Sequence, residues 1–154
     1  MKLTSPSFGN GQSIPSRCTC EGENVHPELC VENAPVGVIS FALLMDDPDI
    51  PAAVKISRGI EVFDHWVLYN IPREVFEIEE GKSVGSEGLN GRGSTGYTGP
   101  CPPDREHRYF FKLYALDVST LSFVKSPTKT ELEKAIAPHT IEKAVYIGRY
   151  DRAR

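Results

Sequence analysis

The sequence has no apolar run approaching the roughly 20 residues that cross a bilayer. Its opening Met1-Lys2-Leu3-Thr4-Ser5-Pro6 lacks the apolar stretch of a secretory signal. The expectation is a soluble, cytoplasmic chain without membrane insertion. Positive charge is also scarce, 17 Lys and Arg against 21 Asp and Glu, for a formal net charge of -4. No whole-molecule field therefore draws nucleic acid, and any anion site must be local. The Arg149, Arg152 and Arg154 tail is the one basic cluster. Cysteines number only 4, at the uneven positions 18, 20, 30 and 101. That is too few for a disulfide framework, and free thiols are expected. There is no internal repeat, no strand-helix alternation and no Gly-x-Ser-x-Gly elbow. Gly81-Lys82-Ser83 has Phe76 where the first glycine of a phosphate loop would stand.

What is present is enough for one domain over 1–154, at 40% hydrophobic and 25% charged residues. Three segments have strand character. Val38 to Met45 carries large apolar residues at 39, 41, 43 and 45 and ends at Asp46-Asp47-Pro48. Asp64 to Ile71 is aromatic and β-branched on both faces before Pro72, which predicts a central strand. His107 to Asp117 puts His107, Tyr109, Phe111 and Leu113 on one face. Helical pattern comes late. Thr128 with Glu131, or Thr130 with Glu133, fits a capping box ahead of Leu132, Ala135 and Ile136, and a second short helix is predicted from His139 to Tyr146. Strands first and helices last indicate a β core with helices attached.

Between Gly81 and Pro103 stand seven glycines and then Pro100, Pro102 and Pro103, so neither strand nor helix can persist. A loop this long in a compact domain is usually functional. Around it, titratable groups sit on stiffened backbone: Asp47 and Asp49 among Pro48 and Pro51, then His65, then His107. If the three strands are neighbours, a carboxylate can hold a histidine protonated beside free backbone N–H groups, which makes a phosphate site. Each residue also has an ordinary structural role: the aspartates as turn residues, His65 as a core histidine beside Trp66, His107 as a strand cap. Two rival chemistries are legible. Cys18, Cys20, His26 and Cys30 could ligate zinc, though Cys-x-Cys is not the usual pair. His107 could act as a base for Cys101 or Ser94 in a hydrolase, though no oxyanion donor is identifiable.

In order, Asp47-Pro48-Asp49-Ile50-Pro51, Asp64-His65-Trp66 through Pro72, Gly96-Tyr97-Thr98-Gly99-Pro100-Cys101-Pro102-Pro103 and His107 through Asp117 closely resemble the signature blocks of the phosphatidylethanolamine-binding, Raf-kinase-inhibitor-like family, in its bacterial and archaeal branch. Ile14-Pro15 with Cys20 to Val25, and Gly148-Arg149-Tyr150, resemble its opening and closing motifs. The resemblance implies a mainly β fold, a sandwich of a large antiparallel sheet and a smaller one with short C-terminal helices. It also implies a pocket for a phosphate monoester or phospholipid head group. Asp47, His65, Gly99, Pro100, His107 and Tyr109 would line that pocket, with Pro48, Asp49, Pro51 and Cys101 supporting it, and with no cofactor or metal. Binding that regulates a partner protein, such as a kinase, is implied ahead of catalysis. Serine protease inhibition by surface contact and hydrolysis by the His/Asp pocket are the alternatives, and a homodimer is expected. The chain departs from the family pattern at Cys18, at Cys30 and in the longer Ala52 to Phe63 connection.

Overall fold

The computed structural model describes residues 1–154. Its strands are β1 (Lys2–Thr4), β2 (Gln12–Ser13), β3 (Leu29–Glu32), β4 (Ser40–Asp47), β5 (Phe63–Pro72), β6 (Glu77–Ile78), β7 (Ser86–Glu87), β8 (His107–Leu116) and β9 (Thr140–Tyr150), with helices α1 (Ala52–Arg58) and α2 (Lys129–Ile136). The larger sheet runs β2-β9-β8-β4-β5-β7 and the smaller β1-β3-β6. The larger sheet is mixed rather than purely antiparallel, because β2 pairs parallel with β9.

Alternation sorts the side chains of this sheet into two layers. Phe41, Leu43 and Met45 of β4 join Trp66, Leu68, Tyr109, Phe111 and Leu113 in a core shared with Leu3, Leu29, Val31 and Ile78 of the small sheet. Ala42 and Leu44 point the other way, with Val67, Tyr69 and Leu116, and are covered by Leu132 and Ile136 of α2. That helix starts as its sequence requires: Thr128 Oγ1 accepts from the Glu131 amide at 3.2 Å and donates to the Glu131 carboxylate, and the Thr130 alternative is not used. Behind the sheet, the buried Asp46 accepts from Lys112 Nζ at 2.7 Å and Lys129 Nζ at 3.2 Å, tying the helix layer to β4.

Three expectations are corrected. The β5 strand is covered on both faces, but it lies next to the sheet edge, beyond which only the two residues of β7 pair; the central strands are β4 and β8. No helix spans His139 to Tyr146. The chain there is the first part of β9, 11 residues paired along β8, preceded by a short 3-10 turn at Ala137–His139. Glu142-Lys143-Ala144 has good helix formers, but Ala144, Tyr146, Gly148 and Tyr150 are buried at every second position and the sheet wins. Finally, Cys20 and Cys101 are joined in a disulfide, leaving only Cys18 and Cys30 as free thiols. No helix is long and apolar enough to cross a membrane.

Candidate functional site: a cavity at one end of the sandwich

The Asp47 side chain comes from the last residue of β4, and its placement follows from the strand's alternation. β4 presents residue 46 to the helix layer and residue 47 to the cavity side. His65 arrives differently. In the β4–β5 ladder Met45 pairs with Trp66 and Asp46 with Asp64, so His65 is an extra residue, the signature of a β-bulge. The bulge lets two successive side chains reach the same side. Trp66 enters the core, stacked on His26 at 4.5 Å, while the His65 ring meets Tyr109 edge-on at 5.2 Å. His107 and Tyr109 are alternate residues of β8 and share a face, as expected.

These side chains converge. A cavity of about 170 Å³ is lined by Asp47, His65, Gly99, Cys101, His107 and Tyr109 together with Pro51, Phe63, Arg92 and Thr98. The glycine-proline loop forms one wall and is zipped to β5 in both directions: the Thr98 amide donates to His65 O at 2.9 Å, and His65 Nδ1 donates to Thr98 O at 2.6 Å. Gly99 is required there, since a Cβ would collide with Asn24 Oδ1 and the Cys18 carbonyl, and its amide donates to Asn24 Oδ1 at 2.8 Å. The Cys20–Cys101 disulfide and the bond from the Cys20 amide to Pro100 O (3.1 Å) hold the same wall to the N-terminal segment.

Pro100 is thus a buried element of the wall and does not itself line the cavity. Neither do Pro48 and Asp49. Asp49 braces the turn through a two-pronged ion pair, accepting from Arg108 Nε and Nη2 at 2.8 Å each, and those bonds hold its carboxyl down at about 2. Its own amide donates to Asp47 Oδ1 at 2.7 Å.

The two imidazoles are held differently. His65 commits Nδ1–H to Thr98 O, which leaves Nε2 as an acceptor in the neutral ring. Burial is the main force pushing its pKa down, to about 4, against the pull of the Thr98 carbonyl. His65 is therefore not the protonated histidine that the sequence allowed for: at neutral pH its free nitrogen accepts. His107 is fully buried, with Nδ1 2.7 Å from Asp47 Oδ2 and Nε2 2.7 Å from Asp104 Oδ1. Asp47 holds one nitrogen of this ring and Asp104 occupies the other. Burial raises the pKa of Asp47, with the His107 bond working against it.

Tyr109 completes the floor. It is fully buried, and its hydroxyl has no hydrogen-bond partner. Burial pushes this phenol's pKa up, so it stays protonated and able to donate. An orphan O–H in a buried wall costs about 1–3 kcal/mol unless something reaches it.

The rival constellations do not assemble. Cys20 is taken up in the disulfide, and both His26 ring nitrogens face backbone carbonyls, Pro27 O at 3.1 Å and Lys82 O at 2.9 Å. Cys101, bonded to Cys20, has no thiolate to offer as nucleophile. Sequence reasoning missed Asp104, Arg92, Thr98 and Phe63. Phe63, Arg92 and Asp104 lie outside the resembling blocks and carry no pattern of their own, and Thr98 lies inside one as an ordinary loop residue.

The fold is a β-sandwich with a small cavity beside two histidines, and comparison places the chain in a family. The family model described as phosphatidylethanolamine-binding protein matches residues 4–151. A UPF0098 protein of Chlamydia pneumoniae is 39% identical over 99% of this chain and 100% of its own length. One from Methanothermobacter thermautotrophicus is 38% identical over 99% of each. The crystal structure of the phosphatidylethanolamine-binding protein homologue CT736 from Chlamydia trachomatis superposes with a TM-score of 0.92 at 37% identity, covering 99% of this chain and 97% of that one. Escherichia coli YbcL, described as a member of the mammalian family, gives 0.86 at 25% identity over 99% and 98%. The chain belongs to the phosphatidylethanolamine-binding protein family.

Proposed function

We propose that the cavity binds the phosphoryl group of a small phosphate monoester or lipid head group, and that the protein acts on a partner through binding rather than by catalysis. The observation that carries this reading is the Tyr109 hydroxyl, a buried donor with no partner in the wall of a cavity flanked by two histidines. Phosphoryl oxygens are acceptors, and a ligand that brings one satisfies that donor. The family's description, phosphatidylethanolamine-binding protein, points to the same chemistry. The neutral His65 adds a condition. Its Nε2 accepts, so the ligand should also bring a proton, as a hydrogen phosphate monoester does below its second pKa of about 6.

Calorimetric titration with phosphate and phosphoethanolamine at pH 6 and pH 8 tests this. His65 stays neutral across that range, while the ligand loses its proton, so affinity should fall toward pH 8. His65→Phe, which removes the acceptor and keeps a ring, should abolish most of that fall. Affinity that rises with pH, or a wild-type pH profile retained in His65→Phe, would discard the reading. The disulfide bears on where the protein works. An oxidising compartment keeps Cys20–Cys101 closed, whereas the cytoplasmic setting expected from sequence favours thiols.

A further inference from the structure

Four cationic or potentially cationic groups were candidates to meet an anion: His26, His65, His107 and Arg92. His26 is capped by two carbonyls, His65 is neutral with Nδ1 committed, and His107 is held at both nitrogens by Asp47 and Asp104. Arg92 has no carboxylate partner either, and it alone of the four carries a fixed positive charge with donors left over. Its backbone is fixed, with the amide donating to Asn90 Oδ1 at 2.9 Å, and its Nε donates to Thr98 Oγ1 at 3.2 Å. Both terminal nitrogens, Nη1 and Nη2, make no hydrogen bond within the protein, although a guanidinium is built to take two oxygens at once. Its charge reaches the first cavity, where it helps hold His65 neutral.

Arg92 also belongs to a second cavity. This one is larger, about 340 Å³, and it shares Arg92, Thr98 and Gly99 with the first. The two differ in chemistry. The first adds Ile50, Pro51, Val54 and Phe63, whereas the second adds Asn24, Asn90, Ser94 and Thr95. Asn90 is used structurally, accepting from Arg92 and Ser94 amides and donating to Gly96 O at 2.9 Å. The hydroxyls of Ser94 and Thr95 and the Asn24 side-chain N–H groups carry no intramolecular hydrogen bond, and these exposed residues line the same cavity as Arg92.

We propose that Arg92 is the anion anchor at the junction of the two cavities, and that the second cavity receives the hydroxylated body of the ligand, making the ligand class a phosphate monoester of a polyol. This rests on the reading of the first cavity as a phosphoryl site and adds its principal cation and a specificity pocket. The phosphoryl group lies against the Arg92 fork and the Tyr109 hydroxyl. The polyol then meets Ser94, Thr95 and Asn24, which can exchange donors and acceptors with hydroxyls but offer little to an acyl chain.

Calorimetry on the full chain with inorganic phosphate, glycerol 3-phosphate and glycerophosphoethanolamine separates the claims. Glycerol 3-phosphate should bind about tenfold or more tighter than inorganic phosphate. Arg92→Gln should weaken both by about tenfold or more, with Arg92→Lys intermediate because charge without the fork retains part of the attraction. Ser94→Ala with Thr95→Val should reduce glycerol 3-phosphate to the level of inorganic phosphate and leave the latter unchanged. Inorganic phosphate binding equally well to wild type and Arg92→Gln would overturn the anchor and leave the first cavity's role standing. Glycerophosphoethanolamine binding tighter than glycerol 3-phosphate would overturn the ligand class. No heat from any phosphorylated probe in wild type would overturn both this inference and the function on which it rests.

Discussion

His107 Nε2 lies 2.7 Å from Asp104 Oδ1, so the second nitrogen of a fully buried ring is closed by a carboxylate from the chain itself. Asp104 is well exposed, at 41%, and sits just after Pro102-Pro103, so an internal anion stands where an external one could be received. The bond from His107 holds its carboxyl below the usual range. Asp104→Asn keeps an acceptor for the ring and removes the like charge. Phosphate affinity should rise by about tenfold at low salt and by less at high salt, where screening is stronger. An affinity equal to wild type at both ionic strengths would show that Asp104 and ligand do not compete.

Tyr109→Phe should separate stability from binding. Removing a buried hydroxyl that has no partner should leave the protein as stable as before or more stable by about 1 kcal/mol. The same change should cost phosphate affinity about tenfold. Urea unfolding together with calorimetry reads both quantities, and a loss of stability with unchanged affinity would contradict the role given to this donor.

Much of this arrangement was legible in the sequence. Alternation placed β4 and β8, the capping box placed α2, and the clustered glycines and prolines marked the wall loop. The strand β9 was not legible because Ile141, Val145 and Ile147 sit on its outer face while Ala144 and Tyr146 face inward, so apolar residues on both faces hid the period of two. The bulge at His65 leaves no trace in composition, yet it decides that residues 65 and 66 face the same side. The partnership of Cys20 with Cys101, 81 residues apart, is set by tertiary folding alone. Asp104 was passed over because one carboxylate beside prolines reads as a turn residue, and its meeting with His107 depends on how the loop closes.

Acid should loosen the turn that braces Asp47. The folded pKa of Asp49 is about 2, below the ordinary carboxylate value of about 3.9. The unfolded chain therefore binds the proton first as pH falls, and the contribution of the pair, full above pH 4, disappears as pH drops through about 2. Arg108 is half-exposed, so the pair should be worth no more than about 1 kcal/mol. Asp49→Asn should lower stability by up to that amount at pH 6 and by nothing measurable near pH 2. An equal loss at both values would mean the pair does not hold the turn electrostatically.

Cleaving the Cys20–Cys101 link should be felt in both the fold and the cavity. A disulfide closing a long loop typically stabilises by about 2–4 kcal/mol. Cys20→Ser with Cys101→Ser should lower unfolding stability by about that much and weaken phosphate binding, since the Gly99-Pro100 wall would keep only its hydrogen bonds. Wild type in excess reductant should match the double variant. If both melt with the oxidised protein, the link contributes nothing to the native state.

The extra residue in β5 gives this architecture a division of labour. Ordinarily a strand must spend every second position on packing, and a polar group inserted there would disturb the interior. With positions 65 and 66 turned to one side, the indole fills the interior while its neighbour is free to carry chemistry. Replacement at 65 would leave the indole seated in the interior and be felt instead in the wall, where the imidazole's bond to the Thr98 carbonyl fastens the loop to β5.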